Sequence, residues 1–462
     1  MFLLELCRRF IGFGYLMTFL KWYGMGALGF TMLLTAMAIQ WALFTESFWH
    51  QLFNNTLYGH WHYVDMNMYS LLDTLYAVSA VLISFGAIIG KASPLQMVVM
   101  LIIEIACHSF NYEVLMLGTM RLVDVGGTYA DHMFGAYFGL SVAYILGKPK
   151  SEPEFGYNND IFSMIGTLFL WVYWPSFVIG ASPADSIQQQ YGMVNTILAL
   201  SASTVCAFWL SSILDENGRF RPVDIQNATL AGGVAIGATA NLTMSGFGAI
   251  MIGCASGLVS CFGFNKIMPF LEETVGLHDS CGIHNLHGMP SVVGGIASVI
   301  IAGYKGYGRT HDEAIYGSNV HSQWWRQLVG ILLCISFAVV SGLITGVILK
   351  KLYPEDTKEA APFHDENYWT VADDYGRSLY SELTNILGDE ESEVKSAMGA
   401  AMPEFSSHSG RRRVTEKPMM MGVLPAAIEA SQHGQPRANN ANDEDKVAAR
   451  SHLEDDEDED DV

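Results

Sequence analysis

Two segments of the chain share one pattern. The first reads DVGGTYADH (124–132) and the second DSCGIHNLH (279–287). In each, an Asp is followed by two residues, a Gly, four residues and a His, and then by an apolar stretch rich in small residues. His132 and His287 are the residues that could do chemistry. Imidazole titrates near neutrality and offers both a donor and an acceptor nitrogen. A linked pair can hydrogen-bond a small polar molecule or pass a proton. Asp124 and Asp279 are expected to cap a helix or tie down a loop by accepting backbone N–H bonds; direct cation binding at Asp124 is the alternative. His284 and His287 have helical spacing for shared metal ligation, but no carboxylate or Cys pair completes a zinc shell, so no metal site is expected. His60 and His62 read as surface residues of a loop.

The elements that must position these histidines are membrane spans. A hydrocarbon core of ~30 Å takes roughly 20 apolar residues as a helix. Eleven candidates are legible, at about 2–21, 26–45, 71–90, 96–118, 128–147, 161–181, 193–214, 225–243, 246–264, 287–304 and 328–349. Several are rich in Gly, Ala and Ser, such as AGGVAIGATA (231–240), as close helix packing in lipid requires. Arg8 and Arg9 interrupt the first stretch, and no cleavable signal is evident. The short loops on one side hold nine Lys and Arg against six on the other, N-terminal Arg8 and Arg9 included. That bias places the C-terminal tail in the cytoplasm and the N-terminus outside. Asp124 then enters the membrane from outside and Asp279 from inside. Two such copies are the mark of an inverted repeat with a site near the midplane. Each His falls in the membrane interior, where an ionisable side chain is costly and functional by default. Asn54 begins an outward-facing glycosylation sequon, Asn54-Asn55-Thr56. Asn227 begins another, which should be silent because it starts a span on the inner side.

The 462-residue composition agrees: half is hydrophobic and only 15% charged, against roughly 25% charged in soluble domains. Residues 352–462 hold 26 acidic and 10 basic side chains and end in LEDDEDEDDV. The chain is therefore read as a membrane domain, 1–351, and an acidic tail, 352–462, disordered towards its end. The tail is a solvated extension or a partner-binding segment, with Arg411, Arg412 and Arg413 as a second contact. There is no basic surplus for nucleic acid. The seven cysteines read as small buried hydrophobes. No nucleophile–base set or cofactor loop stands out, so neither an enzyme nor a cofactor is expected.

The segments DVGGTYADHMFGAYFGL (124–140), DIFSMIGTLFLWVYWPSF (160–177), IQNATLAGG (225–233) and CGIHNLHGMP (281–290) resemble those of Rh glycoproteins, the eukaryotic branch of the ammonium transporter superfamily. The resemblance covers residues from about 11 to about 350. It implies an all-α homotrimer in the lipid bilayer, in a plasma membrane, with one pore per subunit and eleven core helices in two inverted halves. Many Rh proteins carry a further helix before these, which the resemblance implies is absent or shortened here. It places His132 and His287 as paired pore histidines, Phe177 and Tyr76 as the aromatic gate, Asp124 as a structural acid at the outer mouth and Glu113 as a vestibule acid. It implies passage of ammonia or ammonium, with CO2 as a second gas to consider. A non-transporting ammonium sensor that signals through its tail is the alternative.

Five positions depart from, or add to, that pattern. Tyr76 stands where Phe is usual, Asp131 where an apolar residue is usual and Ser291 where Gly is usual. Glu104 and His108, four apart on one helix face, are expected to pair with each other.

Overall fold

The structure is a computed structural model describing residues 8–58, 61, 66–149, 154–180, 182, 186–304, 310–319, 321–352 and 364–371. Eight helices among them are long and apolar enough to cross a membrane. These are α2 (Gly24–Tyr58), α3 (Met68–Ile88), α4 (Pro94–Met120), α6 (Tyr157–Val178), α7 (Ile187–Leu214), α9 (Gly246–Val275), α10 (His284–Gly303) and α11 (Gln323–Leu352). Three shorter or interrupted segments complete eleven spans: α1 (8–19), α5 (128–146) and α8 (222–236). Four spans lie between α5 and α10, so the two run in opposite directions, as an inverted repeat requires.

Local chemistry sets the helix starts. Asn67 and Ser70 form a reciprocal capping box at α3, and Ser93 and Gln96 form another at α4, where Pro94 takes the first turn. Ser186 and Ser245 cap α7 and α9. The short spans are those that protein surrounds. Residues 224–242 of α8 and the turns after it are buried almost throughout, and a helix apolar all round belongs in a core. Small residues allow that depth: a Cβ on Gly232 or Gly253 would overlap the Ala199 carbonyl of α7.

The first span is wound loosely at Arg8–Phe13, and its carbonyls find partners on α6. Ser163 Oγ donates to the Leu16 carbonyl (2.6 Å), and Asn159 Nδ2 donates to those of Thr18 (2.9 Å) and Leu20 (3.1 Å). Irregular backbone at membrane depth is tolerated where protein satisfies it in this way.

Packing divides the chain into 1–377 and 378–462. The first unit extends past the 351/352 boundary that charge suggests, because residues 364–371 pack on the start of α2. There Asp365 accepts the Met25 (2.8 Å) and Gly26 (2.6 Å) amides, and Trp369 lies 5.6 Å from Phe30, ring centre to ring centre. The side chain of Asn54, and residues 372–462 with Arg411–Arg413, lie outside the described residues.

Candidate functional site, a lumen with paired histidines

The two repeated segments fold alike. Asp124 Oδ2 accepts the amides of Tyr129 (2.8 Å) and Ala130 (2.9 Å). Asp279 accepts those of Gly282 and Ile283 (3.0 Å each) and His284 (2.9 Å). The glycines at the shared position, Gly127 and Gly282, have φ of +68° and +73°, a conformation glycine adopts without strain. Each segment then enters its span through a widened, π-type turn, Thr128–Met133 and His284–Gly288. Such turns recur at functional sites, and here each carries one of the two histidines. Both Asp residues thus tie down the start of their span by accepting backbone N–H bonds.

His132 and His287 meet. Their Nδ1 atoms are 3.1 Å apart, and the ring planes differ by only 14°. The ring centres are 5.1 Å apart, too far for face contact, so the imidazoles touch through their edges. A neutral pair joined this way must hold opposite tautomers: one Nδ1–H donates and the other Nδ1 accepts. One Nε2 is then an acceptor and the other a donor. Both rings are buried, at 0% and 3% exposure.

Aromatic side chains surround the pair. Trp174 stacks on His132 at 5.7 Å, and Phe177 meets it edge-on at 5.9 Å. Phe13 stacks on His287 at 6.3 Å. Tyr76 and Phe177 lie 5.0 Å apart, centre to centre. The Tyr76 hydroxyl donates to the Phe177 carbonyl (3.0 Å), so the phenol that departs from the usual Phe is tied to backbone. His287 also borders a cavity of about 490 Å³, whose lining includes Phe13, Leu82, Ile283 and Leu286 together with Asp160 and Arg221.

Glu113 contacts His50 (2.8 Å) and lies close enough to Asp73 to repel it. Asp73 and Tyr76 are one turn apart on α3, which sets these carboxylates beside the aromatic pair. In the loops at the other end, burial and the nearby Lys91 ammonium hold the His278 imidazole down at about 4. Burial also lowers Lys91 to about 8, against the opposing pull of Asp279. Lys91 Nζ donates to the His278 carbonyl.

Glu104 and His108 do not pair with each other. Glu104 contacts Ser84 Oγ, whose hydroxyl also reaches the Gly135 carbonyl (2.8 Å). His108 Nε2 lies 3.3 Å from Asp131 Oδ1, with both side chains at most 2% exposed. Helical spacing suggested the i,i+4 pair; neighbouring helices supplied closer partners. Asp131 therefore faces α4 rather than its neighbour His132. Ser291 is buried and donates to the Gly288 carbonyl (2.8 Å). The residue missed from sequence is Arg8, which was read only as an interruption. It is fully buried beside Phe177, and a charge inside a span was the available signal.

Known proteins are similar to this chain over most of its length. The bovine protein named ammonium transporter Rh type C is 38% identical over 397 residues, covering 82% of this chain and 84% of that protein. The zebrafish ammonium transporter Rh type B is 38% identical over 385 residues, covering 78% and 80%. The solved structure of Rh50 from Nitrosomonas europaea, described with the mechanism of conduction by Rhesus channels, aligns with a TM-score of 0.69. It is 29% identical and covers 86% of this chain and 96% of its own. Mep2 of Saccharomyces cerevisiae shares the fold at 17% identity and a TM-score of 0.59. Residues 4–368 match the Ammonium Transporter Family, and the chain belongs to it.

Proposed function

We propose that this membrane protein is a channel whose substrate is recruited as ammonium and crosses between Tyr76, Phe177, His132 and His287 as ammonia. The observation that carries this reading is the 3.1 Å contact between the two imidazoles inside an aromatic lumen. An unpaired cation in so apolar a passage costs many kcal/mol. Ammonia carries no charge and needs only a donor and an acceptor, which the linked pair offers. Carboxylates near the entrance, Glu113 and Asp73, concentrate the cation. The proton stays outside, and the neutral molecule passes. Hydrated K⁺ and Na⁺ would have to shed their water at the Tyr76–Phe177 constriction without replacement ligands.

The same lumen would admit CO2, a second neutral gas. A homotrimer in a plasma membrane, with the C-terminus in the cytoplasm, completes the proposal. Large apolar side chains exposed on one chain, including Phe44, Leu168, Trp209, Leu332 and Ile344, would face lipid or a neighbouring subunit.

The test is reconstitution of the full chain in liposomes, with current and internal pH recorded during an ammonium pulse. Rapid internal alkalinisation without current is expected. His132→Ala and His287→Ala should each slow it at least tenfold, a loss of about 1.4 kcal/mol or more in barrier terms. A saturable current that follows the alkalinisation would replace this reading with net charge movement.

A further inference from the structure

We infer that Glu104 is an un-ionised acid that positions His132: its carboxyl hydrogen goes to Ser84, and the Ser84 hydrogen goes to α5 just beyond the histidine. The inference rests on the conduction reading above and names what holds one half of the histidine pair in place.

Counting hydrogens carries it. Glu104 on α4 and Ser84 on α3 are both fully buried. Ser84 Oγ stands within hydrogen-bond distance of two oxygens, Glu104 Oε1 and the Gly135 carbonyl (2.8 Å). A hydroxyl has one hydrogen to give, and a carbonyl has none. Were Glu104 ionised, the Ser84 hydrogen would serve one of these contacts and leave two oxygens facing each other across the second. A carboxyl that keeps its hydrogen satisfies both. Glu104 then donates to Ser84, and Ser84 donates to Gly135.

The surroundings agree. His108, one turn along α4, contacts Asp131 and not Glu104. Glu104 Oε2 is buried and hydrogen-bonded to nothing among the described residues. An ionised carboxylate would leave a charge there without a counter-charge, whereas the neutral acid leaves one weak acceptor unpaired. Apolar sites hold carboxylic acids neutral in this way so that they can donate.

The chain of bonds ends beside the lumen. Gly135 lies three residues beyond His132 on α5. α3 and α5 meet there: a Cβ on Gly135 would overlap the Ala80 backbone, and one on Gly139 would overlap the backbone of Ser84. Ser84 is thus fixed at the crossing, where its hydroxyl bridges α4 to α5. On the other side of the histidine, His108 Nε2 reaches Asp131 Oδ1 at 3.3 Å. Glu104 and His108 are neighbours on one helix face, so α4 holds α5 both before and after His132.

The experiment uses the full-length protein with Glu104→Gln and Glu104→Ala, in liposomes at neutral pH. Infrared difference spectra of native protein against Glu104→Gln should show the C=O stretch of an un-ionised carboxyl, lost in the variant. Glu104→Gln keeps an N–H donor for Ser84 without charge, so it should alkalinise the liposomes as the native protein does. Glu104→Ala removes the donor and should slow alkalinisation about tenfold, as misplacing a distant group can. It should also shift the ring-nitrogen resonances of the His132–His287 pair, identified by their loss in His132→Ala, while Glu104→Gln should preserve them. If Glu104→Ala does not assemble, Ser84→Ala carries the same two readouts. Absence of the carboxyl band from the difference spectrum overturns the inference, because Glu104 is then ionised. Glu104→Gln as slow as Glu104→Ala overturns it too, as does a Glu104→Ala protein with native flux and unshifted histidine signals. A native protein that fails to alkalinise the liposomes overturns the conduction reading, while the infrared and ring-nitrogen measurements still decide the role of Glu104.

Discussion

Tyr76 shows how one hydroxyl is absorbed at a constriction. Its ring faces Phe177, while its O–H goes to the Phe177 carbonyl (3.0 Å). The polar atom is thus spent on backbone, and the passage meets mostly ring. Tyr76→Phe should leave ammonia flux within about twofold and cost about 1 kcal/mol of stability, the net worth of one hydrogen bond. Flux in liposomes and thermal unfolding in detergent would check the two parts separately. Asp131 makes the complementary point: the backbone sends it to His108 on α4 and not to its sequence neighbour His132. On a helix, successive residues point about 100° apart.

At the scale of elements, the widened turns that carry the histidines depend on left-handed glycines. Gly127 and Gly282 both have positive φ, and a Cβ at either would strike a neighbour, Asp131 in the first case and Phe264 in the second. Gly127→Ala and Gly282→Ala should each destabilise the protein by roughly 1–3 kcal/mol. They should also lower flux, because each shifts an imidazole relative to its partner. Thermal unfolding and liposome flux would report both effects. The start of α2 depends on a residue far along the chain. Asp365 accepts the Met25 and Gly26 amides and so serves as that helix's cap. Burial pushes its carboxyl up, and these two bonds pull it down. Asp365→Ala should cost about 1 kcal/mol, the usual worth of a lost cap, and should make the chain near residue 364 more susceptible to protease. A digest with unchanged rate would contradict that role.

For the whole molecule, the membrane unit holds every residue assigned to the lumen, and the acidic stretch lies beyond it. Deleting residues after 395 should therefore leave ammonia flux unchanged within error. The sensor alternative makes a different demand: no flux from either the native or the shortened protein. One liposome assay of both forms separates them.

Much of this was legible in the sequence because the relevant physics is short-range or set by lipid. A bilayer demands runs of about 20 apolar residues, so eleven spans could be counted, including the loosely wound α1 and the buried α8. The Asp–Gly–His repeat encodes a cap, a left-handed turn and the following histidine within nine positions, so both copies could be found and matched. Their edge-to-edge meeting was reachable only through the inverted repeat and the family resemblance. The partners of buried polar groups were not legible. Glu104 and His108 looked like a pair on one helix, yet Ser84 and Asp131 on neighbouring helices took them. Asp365 capping α2 and Arg8 lying on Phe177 left no local trace of their partners either. Sequence determines which groups must be satisfied; which groups satisfy them depends on the helices that touch, and only the tertiary structure decides that.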